Sequence, residues 1–177
     1  TAFLIYGSET ITSASFNLGT LTGIHGTKLD SLVSGATRWG VEVTALGDVD
    51  GDGVHDFGVA GAVAPSGTPL SSWWVLCFGG SHLVGNAVVN TNSLLGTEAV
   101  EFRCDTNRST LGLVVPTAHS AFDWNQDGRS DLLLSETRWD QLTGRVHLIE
   151  GGVWLRQQTV VSLDSVPVGR ELVIEGD

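Results

Sequence analysis

Short apolar stretches recur along the chain between clusters of Gly, Ser, Thr and Asp, and three of them resemble one another closely. Ala2-Phe3-Leu4-Ile5-Tyr6-Gly7, Trp74-Val75-Leu76-Cys77-Phe78-Gly79 and Val146-His147-Leu148-Ile149-Glu150-Gly151 each run into a glycine, and these glycines are 72 residues apart. Gly40 and Gly112 keep the same interval. Gly23, Gly96 and Gly169 stand 73 apart, each ahead of a strand-like stretch: Thr27-Lys28-Leu29-Asp30, Val100-Glu101-Phe102-Arg103 and Leu172-Val173-Ile174-Glu175. The most acidic stretches also recur, Asp48 and Asp123 being 75 apart. Four landmarks with nearly one period identify an internal repeat.

Val, Ile, Leu, Phe and Trp dominate the runs and turn-forming residues separate them, so the runs read as strands; no stretch sustains a helical spacing. The first complete unit is predicted to place strands near residues 26–30, 39–46, 57–63 and 73–78. The second is predicted near 99–104, 111–116, 132–135 and 145–150. Four short strands at a fixed period suggest propeller blades. The expected fold is therefore all-β: a β-propeller segment of about two four-stranded blades plus flanking strands. Residues 1–22 read as the end of a preceding blade and a linker, 23–80 as the first blade, 81–152 as the second and 153–177 as the start of a third. Propellers close with about 4–8 blades, so open blade edges are expected to meet a protein partner or further copies of the chain. Trp73 and Trp74 are adjacent, which in a strand sends them to opposite faces and predicts at least one of them exposed.

Two loops between the runs carry the chemistry. Asp48-Val49-Asp50-Gly51-Asp52-Gly53-Val54-His55-Asp56 and Asp123-Trp124-Asn125-Gln126-Asp127-Gly128-Arg129-Ser130-Asp131 both fit D-x-[DN]-x-D-G-x-x-D. Oxygen-bearing side chains at alternate positions bring Asp48, Asp50 and Asp52, and likewise Asp123, Asn125 and Asp127, into one tight turn. Gly53 and Gly128 permit a positive φ there. The carbonyls of Val54 and Arg129 then point inward, and Asp56 and Asp131 close the shell. Such an oxygen-rich, flexible set suits calcium, with two ions expected. An EF-hand would need a Glu at the twelfth position and flanking helices; Val59 and Leu134 stand there, inside apolar runs.

At this point the chain resembles the FG-GAP repeat of integrin α-subunit propellers and their bacterial relatives. Trp39-Gly40-Val41 ahead of the loop, Gly47 through Gly53 with Asp56, Val59-Ala60-Gly61-Ala62 and the closing Phe78-Gly79-Gly80 match that pattern. The second copy departs from it: Leu111-Gly112 stands for Phe-Gly, three extra residues precede Asp123, and Leu134-Ser135 replaces Val-Gly-Ala. The resemblance implies a calcium site in a hairpin on one rim of each blade, in a structural or adhesion module that lies outside the cell, secreted or at its surface.

Composition narrows the alternatives. With 20 Asp+Glu against 9 Lys+Arg, a net charge of −11 argues against nucleic acid and anionic membrane as partners. No apolar run approaches the ~20 residues that span a bilayer. No nucleophile–base motif occurs, and the five histidines lack zinc or catalytic spacing, so the chain itself is read as no enzyme. The alternatives are the non-catalytic propeller of a larger secreted hydrolase, or a carbohydrate-binding module using Trp to stack on glycans. Cys77 and Cys104 read either as one disulfide or as two small buried apolar residues.

Overall fold

The computed structural model describes residues 1–7, 17–21, 23–31, 38–63, 71–104, 122–136 and 144–176. Eleven strands are found among them: β1 (Ala2–Ile5), β2 (Gly26–Asp30), β3 (Glu42–Gly47), β4 (Asp56–Val63), β5 (Ser71–Cys77), β6 (Val88–Asn90), β7 (Ala99–Arg103), β8 (Leu132–Glu136), β9 (Arg145–Ile149), β10 (Val160–Ser162) and β11 (Glu171–Glu175). They form three sheets ordered β1-β2-β6, β10-β7-β5-β4-β3 and β11-β9-β8. The protein is all-β, and helix among the described residues is limited to single 3-10 turns such as Thr91–Ser93 and Leu155–Gln157. None is long and apolar enough to cross a membrane. The strand expected near 111–116 lies outside the described residues.

The strands form where the apolar runs are, but they group differently from the units read in the sequence. β2 pairs antiparallel with β1, Ile5 facing Gly26, and takes no part in the sheet of β3 and β4. In the same way β7 lies on β5, with Cys77 facing Ala99, and β11 lies on β9, with Ile149 facing Glu171. Residues 26–30 and 99–103, read as the first strands of their units, are thus the last strands of the sheets before them. A repeat period sets the length of a unit and leaves its phase open. The phase is decided by the antiparallel return of β2 onto β1, β7 onto β5 and β11 onto β9. A short parallel strand from further along the chain then joins two of these returned strands: β6 on β2 and β10 on β7.

The middle sheet is covered on both faces. Trp73, Val75 and Cys77 enter one core with Ala2, Leu29 and Trp39. Trp74, Leu76 and Phe78 enter a second with Leu132, Ile149 and Leu155. Trp73 is 4 % and Trp74 1 % exposed, so neither is the exposed tryptophan the alternation predicted. Alternation does send them to opposite faces, but each face has a neighbouring sheet. Trp74 meets Phe102 edge-on at 5.6 Å, and Trp39 donates its indole N–H to the Leu29 carbonyl at 2.9 Å, tying the first sheet to the middle one.

Cys77 and Cys104 form no disulfide. Cys77 faces Ala99, whereas Cys104 follows Arg103, which faces Trp73 at the other end of the same strand pair. Cys104 is thus five residues beyond Ala99, and at about 3.3 Å each these exceed the reach of a disulfide. Burial, with a smaller contribution from Asp56, pushes the Cys77 thiol up to about 12, so it packs as an apolar group.

Candidate metal centre

The first acidic loop joins β3 to β4. Its nine residues form a cage of side-chain oxygens accepting backbone N–H groups. Asp48 Oδ1 accepts from Gly51 at 2.7 Å and Asp52 at 3.1 Å, and its Oδ2 accepts from Gly53 at 2.8 Å. Asp50 Oδ1 accepts from Asp52, and Asp52 Oδ1 from Val54 at 2.8 Å. Such short-range side-chain acceptors are what Asp offers a turn in place of a ladder. Gly53 sits at φ +86°, the left-handed region. Asp56, 2 % exposed, anchors the cage to the core: its Oδ2 accepts from Val49 and its Oδ1 from Gly79, both at 2.8 Å.

The second loop repeats these bonds apart from the one that Gly51 donates. Asp123 accepts from Asp127 at 3.1 Å and Gly128 at 2.9 Å, Asn125 Oδ1 from Asp127 at 3.0 Å, and Asp127 Oδ1 from Arg129 at 2.9 Å. Asp131 accepts from Trp124 and from Gly151, both at 2.8 Å. Gly128 has φ +87°. Gly47 faces Asp56 across the base of the first loop, and Phe122 faces Asp131 across the base of the second.

The two loops sit against each other. Ser130 donates its N–H to the Asp48 carbonyl at 2.8 Å, and the Arg129 side chain lies over Gly51. From the segment after β9, Arg156 reaches back to the first loop. Its Nε donates to Asp50 Oδ2, its Nη2 to Asp52 Oδ2 at 2.8 Å, and its Nη1 to Glu98 Oε2 at 2.9 Å. The guanidinium lies 4.6 Å from the centre of the Phe78 ring. Covered in this way, Asp50 is 1 % exposed. Asn125, its counterpart, is exposed, as are Asp123, Asp127 and, at 60 %, Trp124. In the second loop Asp127 pairs with its own neighbour Arg129 at 3.1 Å.

The first loop fits a hard divalent cation. Asp48, Asp50 and Asp56 each offer an oxygen within 4.8 Å of the other two. Ligands about 2.3–2.6 Å from a shared calcium ion lie no more than ~5 Å apart. Asp48 Oδ1 already accepts two N–H bonds, whereas Asp48 Oδ2 and the oxygens of Asp50 and Asp56 each accept one and keep a further lone pair. Asp52 lies outside that triad and faces Arg156. Val54 and Arg129 occupy the positions expected to offer carbonyls, and their N–H groups bond the preceding carboxylates.

Burial pushes the Asp56 carboxyl up to about 6; the N–H bonds from Gly79 and Val49 oppose the shift, and Asp50 and Asp52 add to it. An acid held so high while facing two further carboxylates is one that a cation would return to its ionised form.

Sequence reading missed two groups. Arg156 stands 106 residues from Asp50, and nothing local marks it. His147, set aside because the histidines lack zinc or catalytic spacing, is fully buried between Glu136 Oε2 at 3.3 Å and Glu171 Oε1 at 2.5 Å, with Arg145 on the same Glu136 oxygen. Their juxtaposition comes from the register of β8, β9 and β11 and leaves no mark in spacing.

Comparison of the chain with protein-family models, curated proteins and solved structures returns no match.

Proposed function

We propose that this protein is a calcium-binding structural module, built of propeller-blade-like β units, that serves extracellular protein interaction or assembly rather than catalysis. The observation that carries the reading is the shared cage of the two loops. Each gathers carboxyl and amide oxygens around one turn and fastens that turn to the core through a buried aspartate. In the first loop, Asp48, Asp50 and Asp56 would hold the ion; in the second, Asp123, Asn125 and Asp131 hold the matching positions. Bound calcium supplies positive charge to carboxylates that otherwise repel one another, and so favours the folded loop over the unfolded chain. The gain follows RT ln(1 + [L]/Kd), about 2.7 kcal/mol per site at a hundredfold excess over Kd. Calcium-binding modules outside the cell work at ~10⁻⁴–10⁻³ M, a range that ties full stability to calcium-rich surroundings.

Thermal unfolding with calcium titrated against a chelator, and magnesium as control, tests this. A calcium-specific rise in melting temperature is expected. Equal melting in calcium, magnesium and chelator would reject the metal role and leave the loops as turns held by their own hydrogen bonds.

A further inference from the structure

One contact between consecutive sheets occurs twice in this molecule, and its two halves stand uncovered at opposite ends of the array. In the first occurrence β2 receives the parallel strand β6, Leu29 facing Val89. In the second β7 receives β10, Phe102 facing Val161. Ahead of each incoming strand is a buried leucine, Leu83 at 2 % and Leu155 at 0 % exposure. Each follows its glycine, Gly79 or Gly151, by four residues.

β11 holds the corresponding place in the third sheet. Leu29, Phe102 and Ile174 face Ala2, Trp74 and Val146, the same position of the repeat in each sheet. Leu29 is 1 % and Phe102 0 % exposed, whereas Ile174 is 59 % exposed; Leu172 is 47 % exposed where Val100 is 0 %. Among the described residues β11 is an edge strand.

Beside it opens a cavity of about 200 Å³ lined by Trp124, Asn125, Asp131, Glu150, Arg170 and Leu172. One unit earlier, Val49, Asp50, Asp56, Phe78, Glu98 and Val100 stand at these positions. There the space is filled from the following unit: Leu155 packs with Val49 and Phe78, and Arg156 reaches Asp50 and the Glu98 carboxylate. The other half of the contact lies on β1. Ile5 is 41 % exposed at the position where Cys77 and Ile149 are fully buried against the sheet before them.

We propose that β11 and the cavity beside Trp124 accept the first unit of a second copy of this chain, joined head to tail. The chain's own sequence carries the matching element. Ile11 follows Gly7 by four residues, as Leu83 follows Gly79 and Leu155 follows Gly151. Asn17 Oδ1 accepts from Gly19 at 2.8 Å, repeating the Asn90 Oδ1 bond from Asn92 at 3.0 Å that ends β6. The second copy thus sets β1, with Ile5, against the third sheet as β9, with Ile149, is set against the middle one. The joined faces differ, so the contact propagates into a ring or a filament. This rests on the assembly half of the function proposed above.

The test is light scattering of the whole chain over a concentration series, in calcium and in chelator, beside its melting temperature. The wild-type mass rises with concentration. Ile174→Asp removes the acceptor and Ile5→Asp the donor; each weakens self-association at least about tenfold. Leu172→Lys replaces Ile174→Asp should that variant not fold. Mixed in equal amounts, acceptor-dead and donor-dead chains form a heterodimer and nothing larger. A wild-type chain that stays monomeric at every concentration overturns the proposal. So does an assembly that survives both substitutions, or a mixture that stays monomeric while the wild type assembles. Assembly without a calcium effect on melting would fail the metal reading alone; a calcium effect on a strictly monomeric chain would fail this one alone.

Discussion

Asp56 shows how one carboxylate can serve two purposes. Both of its oxygens accept backbone N–H groups, from Val49 within the loop and from Gly79 just beyond β5, so it welds the turn to the neighbouring strand. It is also one of three carboxylates close enough to share a cation. Its folded-state pKa of about 6 lies above the ordinary 3.8. In the absence of metal, its contribution to stability is therefore fully present below the unfolded value and lost as pH rises through about 6. The difference corresponds to about 3 kcal/mol at neutral pH. Melting of wild type and Asp56→Asn in chelator, followed from pH 4 to 7, is expected to show the wild type losing stability relative to the variant as pH rises. A constant gap across that range would contradict the shift. With calcium the dependence inverts, because the ion requires the ionised form, and calcium affinity is expected to fall below pH 6.

The acidic loop is the element in which local sequence and local structure agree most closely. Asp48 and Asp123 each accept backbone N–H groups from within their own loops, and Gly53 and Gly128 take up the left-handed conformation their positions demand. The two loops nonetheless differ in what covers them. Arg156 already brings positive charge to Asp50 and Asp52, so it and a bound cation neutralise the same carboxylates. Arg156→Gln leaves Asp50 buried without its partner and is expected to cost roughly 2–3 kcal/mol in chelator, the lower end for a broken buried pair because Arg156 is itself partly exposed. The same variant is expected to gain a larger calcium-induced rise in melting temperature than the wild type, read in parallel calcium and chelator scans. A smaller rise would mean that Arg156 supports the ion rather than standing in for it.

At the scale of the whole molecule, stability comes from stacking three sheets so that the middle one is buried on both faces. The loops take part in that stacking, and Gly151 marks where they meet. A Cβ there would run into the carbonyl oxygens of Ser130 in the second loop and Val49 in the first. Backbone atoms cannot swing aside as a side chain would, so Gly151→Ala is expected to destabilise the protein by about 1–3 kcal/mol. Denaturant unfolding measures this, and a change of a few tenths or less would show that the two loops separate more easily than their hydrogen bonds suggest. The Ser130 N–H to Asp48 carbonyl bond at 2.8 Å is the direct link that such a separation would break.

Sequence by itself determined the all-β class, the period of the repeat and the conformation of the two loops. These are legible because their causes are short-ranged: the acceptor oxygens of each turn, the N–H groups they meet and the glycine that lets the chain reverse lie within nine consecutive residues. The apolar runs likewise announce strands without saying which strands pair. Tertiary structure decided the rest. It shifted residues 26–30 and 99–103 into the sheets before them, since a period carries no phase. It buried both Trp73 and Trp74, because alternation assigns faces but cannot tell whether a face meets water or another sheet. It set Arg156 against Asp50, and His147 between Glu136 and Glu171, across separations that only strand register closes. Each of these depends on which distant surfaces come together, and that is fixed by packing between sheets rather than by any local pattern of residues.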